Sequence, residues 1–247
     1  MTVVLVHGSP ETAAIWRPLQ AVLPLESVAL SLPGFGSPRP AGWVGTKDAL
    51  AGWLAKELAR LPGPVDVVGH DVGGLLTMRV ASAFDVPLRS WASDVPDIFH
   101  PAMTWPDRVH ELQKPGVGEA LLKATRDLPE ADPKSLVSRL RGVGLPIEIA
   151  REVAGAHDGA MSLSVLDFYR SAIPNVAADW WKHARPTPSR GLVLLAPDPP
   201  EIQARSLETA KRLGAETASL GNLEHCWMAD DPRFVAEVLE RFWRTLP

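Results

Sequence analysis

The 247-residue chain contains one cysteine, Cys226, and one tyrosine, Tyr169. A lone thiol closes no intrachain disulfide, and neither a C-x-x-C pair nor a Cys/His zinc spacing occurs, so disulfide scaffolds, dithiol redox chemistry and zinc fingers are excluded. No metal and no cofactor are expected. Also missing is any run approaching the roughly twenty apolar residues of a membrane span. The N-terminal MTVVLVHG lacks the basic region, long apolar stretch and small-residue cleavage site of a secretory signal. The expectation is a soluble, cytoplasmic protein. Basic charge is not in excess either: 25 Lys and Arg face 29 Asp and Glu, a net charge of -4. Such a surface offers no broad cationic patch for nucleic acid or an anionic membrane. Small-molecule chemistry is the expected business, and the chain is compatible with a homodimer.

What is present reads as one α/β domain. The chain is 46% apolar and 22% charged, ordinary for a globular protein of this length. Short apolar runs at 2–6, 27–31, 65–68, 91–95, 191–196 and 217–220 predict six strands, several ending in Gly- or Pro-containing loops. Amphipathic helices are predicted at 46–61, 75–84, 201–213 and 232–243, the first with Thr46 as N-cap. Strands alternating with helices predict a mostly parallel sheet covered on both faces, with chemistry at the carboxyl ends of the strands. The separation between the fourth and fifth runs far exceeds the usual loop of two to six residues. A helical insertion at 98–185, before the penultimate strand, is therefore expected within a core of 1–97 and 186–247.

Gly69-His70-Asp71-Val72-Gly73 lies between a predicted strand and a predicted helix. G-x-nucleophile-x-G is the spacing of a nucleophile elbow, a turn so sharp that its central side chain is thrust outward and only glycine fits beside it. Here the central residue is Asp71, and the following helix start favours its ionised form. A carboxylate attacking an ester would give a high-energy anhydride. Attack at an sp3 carbon bearing oxygen or halide gives an alkyl ester that water can hydrolyse. That second step needs a base and an oxyanion hole. G-x-D-x-G occurs often by chance, but His7-Gly8-Ser9-Pro10 after an earlier strand and Glu224-His225 after the last one stand where the other parts belong.

HGSPE, SLPGFG and VVGHDVGG together resemble the α/β-hydrolase superfamily, and within it the branch of epoxide hydrolases and dehalogenases with an Asp nucleophile. The resemblance spans the whole chain and thins inside the insertion. It implies an eight-stranded sheet, whereas six strands are legible, so the family's first two are absent. It implies a small apolar epoxide or a halogenated compound as substrate, with water as co-substrate and the insertion as a cap. His225, in Leu223-Glu224-His225-Cys226-Trp227, would be the base, and the backbone N–H groups of Ser9 and Val72 would form the oxyanion hole. For the acid that orients the base, Asp198 after the fifth strand is preferred to Asp94 after the fourth, although both positions carry it in relatives.

Opening an epoxide requires a donor to the departing oxygen. Tyr169, in the segment LDFYR that resembles the family's cap motif, is the first choice, and His110 stands just before a segment resembling the one that follows the second cap donor. Their bland alternatives are a half-buried cap aromatic and a surface histidine. Dehalogenases of this branch place Trp or Arg directly after the nucleophile, where this chain has Val72, which favours the epoxide over the halide. Trp105, Trp180 and Trp181 in the insertion read equally as pocket lining or packing. A hydrolase-fold receptor with little turnover is the alternative from outside enzymology.

Overall fold

A computed structural model describes residues 2–246. Six parallel strands, β1 (Val3–Val6), β2 (Ser27–Leu30), β3 (Val65–Gly69), β4 (Leu88–Ser93), β5 (Arg190–Leu195) and β6 (Glu216–Ser219), form one sheet in the order β2-β1-β3-β4-β5-β6. Side chains alternate across it as a pleat requires. Val4, Val6, Val65, Val67, Trp91 and Val193 pack on one face. Val3, Leu5, Val68, Ala92, Leu192 and Leu194 pack on the other.

The flanking helices are α1 (Arg17–Gln20), α2 (Lys47–Ala59), α3 (Val72–Ala83), α10 (Pro200–Leu213), α11 (Trp227–Asp230) and α12 (Pro232–Arg244). The Thr46 hydroxyl accepts the Ala49 N–H at 3.1 Å, the cap expected from sequence. Between β4 and β5 lie α4 (Asp107–Gln113), α5 (Val117–Asp127), α6 (Leu136–Gly142), α7 (Ile147–Gly155), α8 (Gly159–Ser171) and α9 (Ala177–Trp180). This segment has no core of its own: Trp105, Leu112, Met161 and Phe168 join the cluster on one face of the sheet, while Leu140, Ile149 and Val153 join the other. No described helix is long and apolar enough to cross a membrane.

Two elements start three residues earlier than expected. Strand β4 starts at Leu88, because the polar Arg89 and Ser90 are absorbed by the buried Asp66 of β3, at 2.5 Å from both Arg89 Nη2 and Ser90 Oγ. Helix α3 starts at Val72, because Gly73 is there for contact: a Cβ on it would sit 2.2 Å from the Val6 carbonyl oxygen.

Register places the chemistry. Val6 pairs with Gly69, and Gly69 with Ser93, so the segments that follow β1, β3 and β4 emerge side by side. The chain runs from β1 outward to β2 and then returns to β3 on the other side, which makes the crevice between β1 and β3 the topological switch point of the sheet. Helix α8 is fastened over this edge. Asp167 takes the Gly45 N–H at 2.9 Å and Arg39 Nη2 at 2.5 Å; Arg39 Nη1 reaches Ser164 Oγ at 2.8 Å, and Ser171 Oγ takes the Lys47 N–H at 2.8 Å. Tyr169 is thereby carried on a rigid element.

Candidate functional site

Asp71 has φ 51° and ψ -121°, and Val95, beside Asp94, has φ 45°. These are the only non-glycine residues with positive φ among those described. Each costs about 1–3 kcal/mol, and such strain gathers where side-chain placement matters. At Asp71 the strained turn ends β3 and opens α3, whose Leu75 N–H bonds the Asp71 carbonyl at 3.0 Å. The loop after β1 presses directly on the carboxylate. A Cβ on Gly8 would lie 2.4 Å from both Cβ and Oδ1 of Asp71, so only glycine allows the approach. The Ser9 N–H consequently donates to Asp71 Oδ1 at 2.9 Å. Val72 N–H, at the helix start, makes no hydrogen bond to this carboxylate among the described residues.

Behind Asp71 runs a buried chain of charge. Asp94 accepts the Asp71 N–H at 2.9 Å, the Trp227 indole N–H at 2.7 Å and His70 Nδ1 at 2.5 Å. On the far side of the His70 ring, Nε2 faces Glu11 Oε1 at 3.3 Å, and His225 Nε2 lies 3.9 Å from that same oxygen. Glu11 Oε2 in turn takes the Gly8 N–H at 2.9 Å. The His70 and His225 rings are 4.6 Å apart, with Trp227 edge-on to His70.

Burial alone would discharge His70, but Asp94 and Glu11 outweigh it and raise its pKa well above 6.5. Reciprocally, burial would raise Glu11, yet the His70 charge wins and holds it at about 2. Asp94 is lowered in the same way, the His70 charge again outweighing burial. Asp71 is raised, chiefly by burial and then by the Glu11 charge, with His225, His70 and the Ser9 N–H opposing.

These shifts fix the sign of a pH dependence. The Glu11 contribution to stability is present above 4.5 and is lost as pH falls toward 2. The His70 contribution is complete below 6.5 and is lost as pH rises through its raised value. The cluster therefore stabilises most between these limits. Glu11→Gln, which takes away one of the two carboxylates that hold the buried His70 charge and leaves Asp94, should lower the unfolding free energy by about 1.5–3 kcal/mol. Urea titrations across pH should find this loss greatest inside that window and shrinking outside it; an unchanged urea midpoint would contradict the pairing.

Two cavities flank the site and share Pro106, Val109, Tyr169 and His225 in their walls. The first, about 600 Å³, holds Asp71, Asp94, Asp198, Trp105 and Trp227 in its wall. The second, about 440 Å³, is lined by Ser9, Glu11, Arg108, Arg139, His157 and mostly leucine and valine. Tyr169 lines both, and burial, then the Asp71 charge, raise its hydroxyl pKa well above the ordinary value.

Of the residues expected from sequence, Asp71, Ser9, Tyr169 and His225 come together here. His110 does not. It lies exposed on α4, bonding only Gln113 at 3.3 Å and lining neither cavity, because Val109 takes the inward face of that helix. The pairing of His225 with Asp198 is also corrected. Asp198 is half-buried in the larger cavity and is raised by burial and by Asp94, but it forms no hydrogen bond with His225, nor does Asp94. Glu11 is the carboxylate nearest the His225 imidazole. Sequence reasoning missed Glu11 and His70, although HGSPE and GHDVGG displayed both.

Donor atoms of Glu11, His70 and His225 lie within 4.8 Å of one another, a spacing a metal could use. The donors fit poorly, since the His70 ring already lies between two carboxylates, Nδ1 at 2.5 Å from Asp94 and Nε2 at 3.3 Å from Glu11, which favour its protonated form over the neutral one a metal needs.

The alpha/beta hydrolase family matches residues 3–238 of the sequence. A search of curated proteins returned no match. Among solved structures, a variant of a candidate epoxide hydrolase from Pseudomonas aeruginosa is 21% identical with a TM-score of 0.80, covering 99% of this chain and 88% of that one. A haloalkane dehalogenase loop variant from Bradyrhizobium elkanii is 19% identical with a TM-score of 0.73, covering 99% and 90%. MenH from S. aureus is 14% identical with a TM-score of 0.72, covering 99% and 94%. At these identities the likeness is one of fold, and it is the family match across nearly the whole sequence that decides: the chain belongs to the alpha/beta hydrolase family.

Proposed function

We propose that this hydrolase opens epoxides to vicinal diols through an alkyl ester on Asp71, beneath a cap formed by residues 98–185. The observation that carries this reading is the Ser9 N–H on Asp71 Oδ1, with Asp71 in the wall of one cavity and Ser9 in the wall of the other. The oxygen held by that donor is the one that would become the oxyanion when water adds to the ester, which leaves Oδ2 to attack. Tyr169 suits the complementary task. A phenol kept protonated by burial and by the neighbouring carboxylate can donate to an epoxide oxygen as the ring opens. His225 would take the proton of the hydrolytic water, and Glu11, fixed by His70, would stabilise the imidazolium that results.

The halide reading has less support. Haloalkane chemistry is served by an indole N–H free to cradle the leaving ion, and both tryptophans in the larger cavity have theirs committed: Trp105 to the Ala172 carbonyl at 2.8 Å and Trp227 to Asp94 at 2.7 Å. Tyr169→Phe separates the two. Loss of a general acid should lower kcat on styrene oxide by about 10²–10⁴-fold, while displacement of bromide from 1-bromobutane, which needs no proton, should change little. Equal loss on both substrates, or none on the epoxide, would count against the assignment.

A further inference from the structure

One donor for the departing oxygen, Tyr169, lines both cavities, while the second one expected from the cap, His110, lines neither. The chain holds no other tyrosine. A lone phenol in this position is a weak acid, because burial and then the Asp71 charge disfavour its phenolate. Ring opening asks it to give up that proton. A neighbour that favours the phenolate more than the phenol would therefore speed the step.

Ser9 has the required group in the required place. Its N–H is pinned to Asp71 Oδ1 at 2.9 Å, and the loop around it is closed by Glu11, whose Oε2 takes the Gly8 N–H at 2.9 Å and whose own N–H reaches the Gly8 carbonyl at 3.3 Å. With the backbone so held, the hydroxyl has only three staggered positions. It is buried and has no hydrogen-bond partner among the described residues. An unpaired buried hydroxyl is unfavourable, and in a native protein it calls for a reason such as a part in catalysis.

Ser9 and Tyr169 line the same smaller cavity. The Tyr169 ring is held there by Trp105, edge-on at 5.5 Å, and by the fastening of α8. Burial and the charges of Asp71 and Glu11 raise the phenol pKa, and the Ser9 hydroxyl is the neighbour that opposes them through a hydrogen bond. The approach is not yet a formed bond. Catalytic hydrogen bonds of a free enzyme are often long and tighten in its complexes.

We propose that Ser9 is a positioning residue for Tyr169: its hydroxyl donates to the phenol oxygen, turns the phenol proton toward the epoxide and holds the phenolate left when that proton is gone. As Asp71 Oδ2 bonds to the ring carbon and the ring carbon–oxygen bond breaks, the Tyr169 proton passes to the departing oxygen. Esterified Asp71 no longer repels the phenolate, and the Ser9 hydroxyl supplies a charge-assisted hydrogen bond to it. Once water has cleaved the ester, the proton released as Asp71 ionises returns to the phenolate, so only water and epoxide are consumed. The inference rests on the epoxide reading for the step it serves, whereas the contact between the two hydroxyl groups does not depend on it.

Because Tyr169 is the one tyrosine, protein made with heavy-carbon tyrosine labelled at Cζ gives a single magnetic-resonance signal that reports on the phenol oxygen. Ser9→Ala, which keeps the backbone N–H, should move that signal in the whole protein, and an unmoved signal overturns the inference without any turnover. On styrene oxide, Ser9→Ala should slow single-turnover formation of the Asp71 ester by about 10–100-fold, the scale of a hydrogen bond to a charged group. Breakdown of the ester, which draws no proton from Tyr169, should stay near the parent rate. In a Tyr169→Phe background the same substitution should slow ester formation no further. A loss just as large without the Tyr169 hydroxyl, or no loss from Ser9→Ala beside a large one from Tyr169→Phe, overturns the inference and leaves the epoxide reading standing. A signal that moves in a protein opening no epoxide removes that reading, and the catalytic part of the inference with it, while the contact stands.

Discussion

Asp71→Asn is expected to abolish steady-state turnover, with a loss on the order of 10⁴-fold or more, the scale on which removal of a covalent nucleophile acts. The neutral amide keeps the size of the side chain and can still meet the Ser9 N–H through its oxygen, so loss of activity without loss of fold is the diagnostic result. Oxygen labelling carries the argument further. In a single turnover with enzyme in excess in heavy-oxygen water, Asp71 Oδ2 bonds to the epoxide carbon and the ring carbon–oxygen bond breaks. Water then adds at Cγ and the alkoxy group departs with the old carboxylate oxygen. Heavy oxygen should therefore appear in the peptide containing Asp71, and the first diol should carry none from water. Label found only in the diol would mean that water attacks the substrate directly. The alkylation step should also weaken on the acid side at a pH above the ordinary 3.8 of an aspartate, because burial and the Glu11 charge raise this carboxyl.

Much of this arrangement was legible in the sequence, and the parts that were not share a cause. Parallel strands buried on both faces are written as short apolar runs, and the loops that end them are rich in glycine and proline, so β1, β3 and the elbow at Asp71 could be placed from residue type alone. The six-stranded parallel sheet agrees with that reading. The charge chain could not be foreseen. Glu11, His70 and Asp94 stand on three different loops, and only the register of β1, β3 and β4 sets them side by side. His70 carries no sequence signature of its own, because its two carboxylate partners come from other loops. His110 fails on helical geometry: one residue along an α-helix is a rotation of about 100°, and Val109 already occupies the inward face. Asp198 fails on a local turn, its N–H bonded to the Ala196 carbonyl at 2.8 Å, which leaves its carboxylate in the cavity away from the imidazole.

His225→Gln should separate the two halves of the reaction. Asp71, its Ser9 donor and Tyr169 remain, so ring opening should proceed once per molecule and then stop, because no base remains to deprotonate water. A burst of one equivalent and a mass increase equal to the intact epoxide on the Asp71 peptide are the expected signs, with steady-state turnover reduced by about 10²–10⁴-fold, the range attributable to a positioned base. The side chain of His225 is 39% exposed and 3.9 Å from Glu11, so its replacement leaves the buried Asp94–His70–Glu11 chain intact. Stability in urea should accordingly stay near that of the parent, in contrast to the Glu11 variant. This difference distinguishes the roles of the two residues. If Glu11 matters only as the partner of His70, Glu11→Gln should lose stability yet hydrolyse the ester at the parent rate. If it also supports the imidazolium of His225, the ester should accumulate in Glu11→Gln as well, to a smaller extent. An unmodified Asp71 in His225→Gln after incubation with styrene oxide would show that the imidazole acts before the ester forms, and the order of steps derived from the Ser9 contact would have to be abandoned.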